Sequence, residues 1–196
     1  MAAFSAALAA TRSSSPSVGP VSSAAGRDGF CAPYESSTTS SPMLPASIPT
    51  NKELLSLLLQ QQDWKDAAVF RALDGAILAS TFPLTVEETQ GIAAIFDSDR
   101  FTAVGKGILL QGERYEVFCF HPPLIYGRRG SGANSEGIAL VRGVGPDAES
   151  LIVMATYSPP MVSACVVPQL TTFFRAYLGL IPPIAVPPLY EKFRKH

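Results

Sequence analysis

Between Gly107 and Tyr157 short apolar runs alternate with glycine-bearing turns, and this spacing constrains the fold more than any other feature. Gly107-Ile108-Leu109-Leu110 and Tyr115-Glu116-Val117-Phe118-Cys119-Phe120 flank a Gln111-Gly112 turn. Leu124-Ile125-Tyr126 and Gly137-Ile138-Ala139-Leu140-Val141 flank the loop Gly127-Arg128-Arg129-Gly130-Ser131-Gly132. Leu151 to Tyr157 is the last and most apolar run, and Pro159-Pro160 breaks it. The pattern predicts an antiparallel meander.

Upstream, Asn51-Lys52-Glu53 followed by Leu54, Leu55, Leu57, Leu58 and Leu59 reads as an N-capped helix with a broad apolar face. Ala67 to Leu73 and Ala76 to Ser80 read as a hairpin about Asp74-Gly75. Thr85-Val86-Glu87-Glu88 is a capping box opening a helix with Ile92, Ile95 and Phe96 on one face. A final helix covers roughly Ser163 to Leu178; Pro168 is tolerable only near its first turn, so a start nearer Val167 is expected. Helix, hairpin, helix, meander, helix specifies an α+β domain, a single antiparallel β-sheet flanked by helices on both faces.

Composition changes sharply near residue 50. Residues 1–50 are rich in Ser, Ala and Pro and predict a disordered extension. Their scarcity of acids also fits an organelle transit peptide, so targeting stays open beside a plain tail. The folded domain spans 51–180, and 181–196 form a proline-containing tail that either packs on the domain or serves as a ligand. Over 196 residues the net charge is −1, which excludes a strongly basic nucleic-acid binder. No apolar run approaches the roughly 18 residues of a membrane span. Cys31, Cys119 and Cys165 are odd in number and lack metal-ligand spacing, which predicts a reducing compartment and, for Cys165, a buried structural thiol. No nucleophile motif, phosphate loop or metal cluster is evident, so neither an enzyme nor a cofactor is expected.

Four motifs in order resemble the profilin family over about 120 positions. They are Asp66-Ala67-Ala68-Val69 with Asp74-Gly75 and Ala79; Gly107 to Val117; Ile125 to Gly132; and Tyr157, Pro160, Val166-Val167 and Leu170. The resemblance implies a cytoplasmic, cytoskeleton-associated protein that binds monomeric actin and regulates its polymerisation. It places actin contacts at Ile95, Phe96, Arg114, Arg128, Arg129, Arg142 and Val162, the arginines forming a basic patch. It implies proline-rich ligands held by an aromatic groove, here reduced to Trp64, Phe173, Phe174 and Tyr177. Asn51, Leu54 and Leu78 stand where the family carries aromatics. Trp64 either compensates for that loss or plugs the space between helix and sheet. Phosphoinositide head groups would fall to Arg128 and Arg129, with Glu136 in a lengthened loop as a possible opponent. Roadblock- and longin-like modules share the element order, so a scaffold or adaptor for a GTPase or trafficking complex, without actin binding, is the alternative.

Overall fold

The computed structural model describes Pro45 and residues 47–183. The expectations for 1–44 and for 184–196 lie outside the described residues. Helix α1 (Asn51–Leu59) is capped by Thr50 rather than by Asn51, in a capping box with Glu53. Strands β1 (Asp66–Arg71) and β2 (Ile77–Ser80) form the expected hairpin. Gly75 turns it at φ 72, and a Cβ there would meet the Thr89 hydroxyl. That hydroxyl donates to the Gly75 carbonyl at 2.7 Å and fastens the turn to α2 (Val86–Phe96). The capping box of Thr85 and Glu88 is present.

Helix α3 (Arg100–Lys106) was not foreseen, although Asp99 caps it by accepting from the Thr102 amide at 3.0 Å. Five strands follow: β3 (Ile108–Leu110), β4 (Glu113–His121), β5 (Leu124–Arg129), β6 (Glu136–Val144) and β7 (Ser150–Tyr157). β5 runs through Arg129, so the glycine-rich connection is shorter than its composition implied. Helix α4 (Ser163–Tyr177) contains Pro168 without starting later. A single missing amide in a long helix with a buried face is outweighed by the packing of Val166, Leu170, Phe173 and Phe174.

All seven strands join one antiparallel sheet in the order β2-β1-β7-β6-β5-β4-β3. Its two faces carry separate cores. Leu54 and Leu58 of α1 and the buried stripe of α4 pack on Ala67, Val69, Val141, Leu151, Val153 and Ala155. Ile92, Ile95 and Phe96 of α2 and Ala103 of α3 pack on Ala68, Phe70, Ile138, Leu140, Ile152 and Met154. The predicted architecture of one antiparallel sheet with helices on both faces is what the chain adopts.

Candidate binding surface

Helices α1 and α4 cover the β2-β1-β7-β6 half of their face. No described helix packs over the β5-β4-β3 half. Strand alternation determines what that half presents. Tyr115 and Val117 enter the core under α2 and α3, so Arg114 and Glu116 project to the opposite side. Leu109, between buried Ile108 and Leu110 on the edge strand, is 57% exposed and lines an open hollow with Gly91, Ala94 and Lys106 beside α2 and α3. At Phe118 the pairing steps from Val117↔Gly127 to Cys119↔Tyr126, leaving Phe118 as the extra residue of a bulge, 59% exposed.

Arg128 is the register partner of Glu116 and shares its side of the sheet. Its guanidinium carbon lies 5.8 Å from the Phe118 ring centre, a cation–π contact. The start of α4 closes the site. A cleft of ≈ 330 Å³ opens between Phe118, Tyr126, Arg128, Tyr157, Pro160 and Val162, with Val162 52% exposed. Tyr157 forms its floor because Gly137, its register partner, leaves room: a Cβ at 137 would run into the Tyr157 ring. Burial raises the Tyr157 phenol above its ordinary value, against a side-chain hydrogen bond with Ser163 and the charge of Arg128. Beside it, a side-chain hydrogen bond with the half-buried thiol of Cys119 raises Tyr126.

The predicted contact residues separate. Arg128 and Val162 meet in this cleft. Arg114 is drawn to the C-terminus of α3, where its guanidinium donates to the Lys106 and Gly105 carbonyls, each at 2.7 Å, and so caps that helix. Arg129 points to the other side, because neighbours on a strand alternate. It pairs with Glu136 at 2.7 Å and with Glu113 at 3.4 Å, and lies 5.3 Å from the Tyr115 ring centre. Arg142 donates to Asp97 at 2.5 Å and to Ser150 at 2.9 Å, away from the cleft. The four arginines therefore form no single basic patch. Ile95 and Phe96, 8% and 6% exposed, face the α2 core and offer a surface partner almost nothing.

The aromatic set is likewise mostly core. Trp64 donates to Gln169 at 3.1 Å and meets Phe173 edge-on at 5.5 Å; Phe173 lies 5.1 Å from Tyr177. Trp64, Phe173 and Phe174 are buried, Phe174 completely. With leucines at positions 54 and 58 of α1, these rings sink against the sheet instead of lining an open groove. Tyr177 alone stays half-buried, on the wall of an open groove with Pro49, Lys52, Glu53 and Leu57. Cys165 is half-buried, not buried. Phe118 and Leu109 were missed as surface residues. The signal was available, since the buried parity of Tyr115 and Val117 sends residue 118 to the other face.

Residues 51–178 match the family model for profilin. The chain belongs to the profilin family. The matched span runs from the first residue of α1 to Leu178, the C-cap of α4. Among solved structures the chain is similar to profilin IA of Acanthamoeba castellanii, with 22% identity and a TM-score of 0.50 over 64% of this chain and 96% of that one. Acanthamoeba castellanii profilin II is 22% identical over 61% of this chain and 90% of its own, with a TM-score of 0.48. LokiProfilin1, in complex with rabbit actin, is 12% identical over 65% of this chain and 90% of its own, with a TM-score of 0.47. No curated protein matches the chain. The profilin match also separates this domain from the roadblock and longin modules that share its element order. Among the described residues no helix is long and apolar enough to cross a membrane.

Proposed function

We propose that this profilin binds monomeric actin through the uncovered β5-β4-β3 surface and the start of α4, and thereby regulates actin polymerisation without catalysis. Family membership supports the partner; the surface itself supports the place. The observation that carries the reading is Phe118, exposed on a bulge, stacked with Arg128 and facing Val162 across the cleft. A central aromatic anchor with an arginine beside it is the composition of a protein-binding hot spot. The reading carries with it a cytoplasmic, cytoskeleton-associated setting.

The test is polymerisation of pyrene-labelled actin with wild type, Phe118→Ala and Arg128→Glu. Wild type in excess should slow spontaneous polymerisation, and both variants should lose most of that effect. Wild type without effect would sink the actin reading; unchanged variants would sink the surface.

A second activity, binding of a proline-rich segment, is favoured by one observation: Tyr177 is half-exposed beside Pro49 and Leu57 in an open groove. A polyproline helix is already extended and packs on such a ring at low entropic cost. Titration of wild type and Tyr177→Ala with a proline peptide tests it, and equal affinities would reject the groove.

A further inference from the structure

Glu136 is the one charged side chain buried among the described residues, at 7% exposure. Three donors converge on it. The Tyr115 hydroxyl donates to Oε1 at 2.9 Å, Arg129 donates to Oε2 at 2.7 Å, and Lys65 donates to the same oxygen at 3.1 Å. Two cations and a phenol around one anion is also a donor set suited to phosphate. Here the anion is built into the chain, on β6, as the register partner of Arg129. Glu113 adds a second carboxylate to Arg129, so the two positive charges of Lys65 and Arg129 meet two negative ones and the cluster is neutral.

We propose that Glu136 is a resident anion that fills a cationic cradle made by Lys65, Arg129 and Tyr115, and so makes this profilin discriminate against ligands carrying clustered phosphomonoesters. An external phosphate that took these donors would leave the Glu136 carboxylate buried and unpaired, which is costly. Removing the carboxylate charge reverses the balance. The side chains of Lys65 and Arg129 are 51% and 32% exposed, so the cradle opens to solvent and gains net positive charge once Glu136 is neutral. Arg128, on the other side of the strand, takes no part. The inference stands apart from the actin reading, because it concerns the opposite side of β5.

The experiment uses the full chain as wild type, Glu136→Gln, Arg129→Ala and the double variant. Each is mixed with phosphatidylcholine vesicles containing phosphatidylinositol bisphosphate, with phosphatidylserine vesicles of equal charge, and with soluble inositol trisphosphate. Gln keeps an acceptor for Tyr115 and removes the charge. Glu136→Gln should bind the phosphorylated ligands on the order of tenfold more tightly than wild type, and the double variant should lose the gain. A gain on vesicles alone locates recognition at the bilayer; a gain on both locates it on the phosphates themselves. A folded Glu136→Gln with no gain, or an equal gain on phosphatidylserine, overturns the proposal. Should Glu136→Gln fail to fold, the Arg129→Ala variant decides: unchanged binding of phosphorylated vesicles supports a sequestered Arg129, and lost binding refutes it.

Discussion

The guanidinium of Arg128 stacks 5.8 Å from the centre of the Phe118 ring, and both side chains stand where no described helix covers the sheet. A contact this exposed contributes about 0.5–1 kcal/mol to the fold, so its weight lies in what it presents. Phe118→Ala should weaken actin binding by roughly tenfold or more, as loss of a hot-spot aromatic does. Its melting temperature should barely move, because the ring is 59% exposed. Arg128→Glu should mainly slow association, and wild-type association should slow as salt is raised. Stopped-flow binding to labelled actin, with thermal melts alongside, reads both effects.

Gly137 and Tyr157 give a stability prediction. The Tyr157 ring occupies the space that a side chain at 137 would need. Gly137→Ala should therefore cost about 1–3 kcal/mol through overpacking, seen as a lower denaturant midpoint. Because the displaced ring floors the cleft, actin affinity should fall with it. A variant as stable as wild type would show that Tyr157 can move without consequence.

Trp64 is the sole tryptophan, so its fluorescence reports one place. Its indole N–H donates to Gln169, which in turn donates to Asp63 at 2.6 Å. Gln169→Leu should leave the buried N–H unsatisfied and cost about 1–3 kcal/mol. A proline peptide bound at Tyr177 should leave Trp64 emission nearly unchanged, since the indole is 7% exposed. Strong quenching by the peptide would mean that the aromatic cluster opens.

Much of the fold was legible because local chemistry and packing agree. Gly75, the Thr85–Glu88 box and the alternation through β3 to β7 each appear where the residues place them. Helix α3 was not, since seven residues with Ala103 as the one buried position carry too little periodicity to register. The site was half legible. Arg128 and Val162, which the resemblance names, line one cleft, whereas parity sends Arg129 to the other side, and Arg114 and Arg142 are held by α3 carbonyls and by Asp97. A turn and a strand look alike in Gly127-Arg128-Arg129, and only their pairing with β4 and β6 distinguishes them. Three of the four aromatics named for a proline groove, Trp64, Phe173 and Phe174, are buried for a different reason. Nothing local in Phe173 and Phe174 says that leucines on α1 will let them sink into the core.

The Glu136 cluster makes stability depend on pH at both ends. Burial opposes charge on Glu136, but hydrogen bonds from Lys65, Tyr115 and Arg129 outweigh it and hold the carboxyl below its ordinary value of 4.5. Such a group stabilises the fold above its unfolded pKa, and the contribution is lost as pH falls through the lowered folded value. Below about pH 4.5 wild type should therefore lose melting temperature more steeply than Glu136→Gln. Tyr115 behaves in the opposite sense. Burial, opposed by Arg129 and helped by Glu136, pushes its phenol up to about 12. Its contribution is complete below the unfolded value of 10.0 and is lost as pH rises toward about 12. Tyrosinate absorbance should show a late-titrating phase for Tyr115, beside the raised Tyr126 and Tyr157, and Tyr115→Phe should remove that one-tyrosine part. In Glu136→Gln that phase should move to lower pH, because the carboxylate that opposes a phenolate is gone. If the late phase stays in place, Glu136 and Tyr115 do not interact as charges, and the resident-anion cluster loses its electrostatic basis.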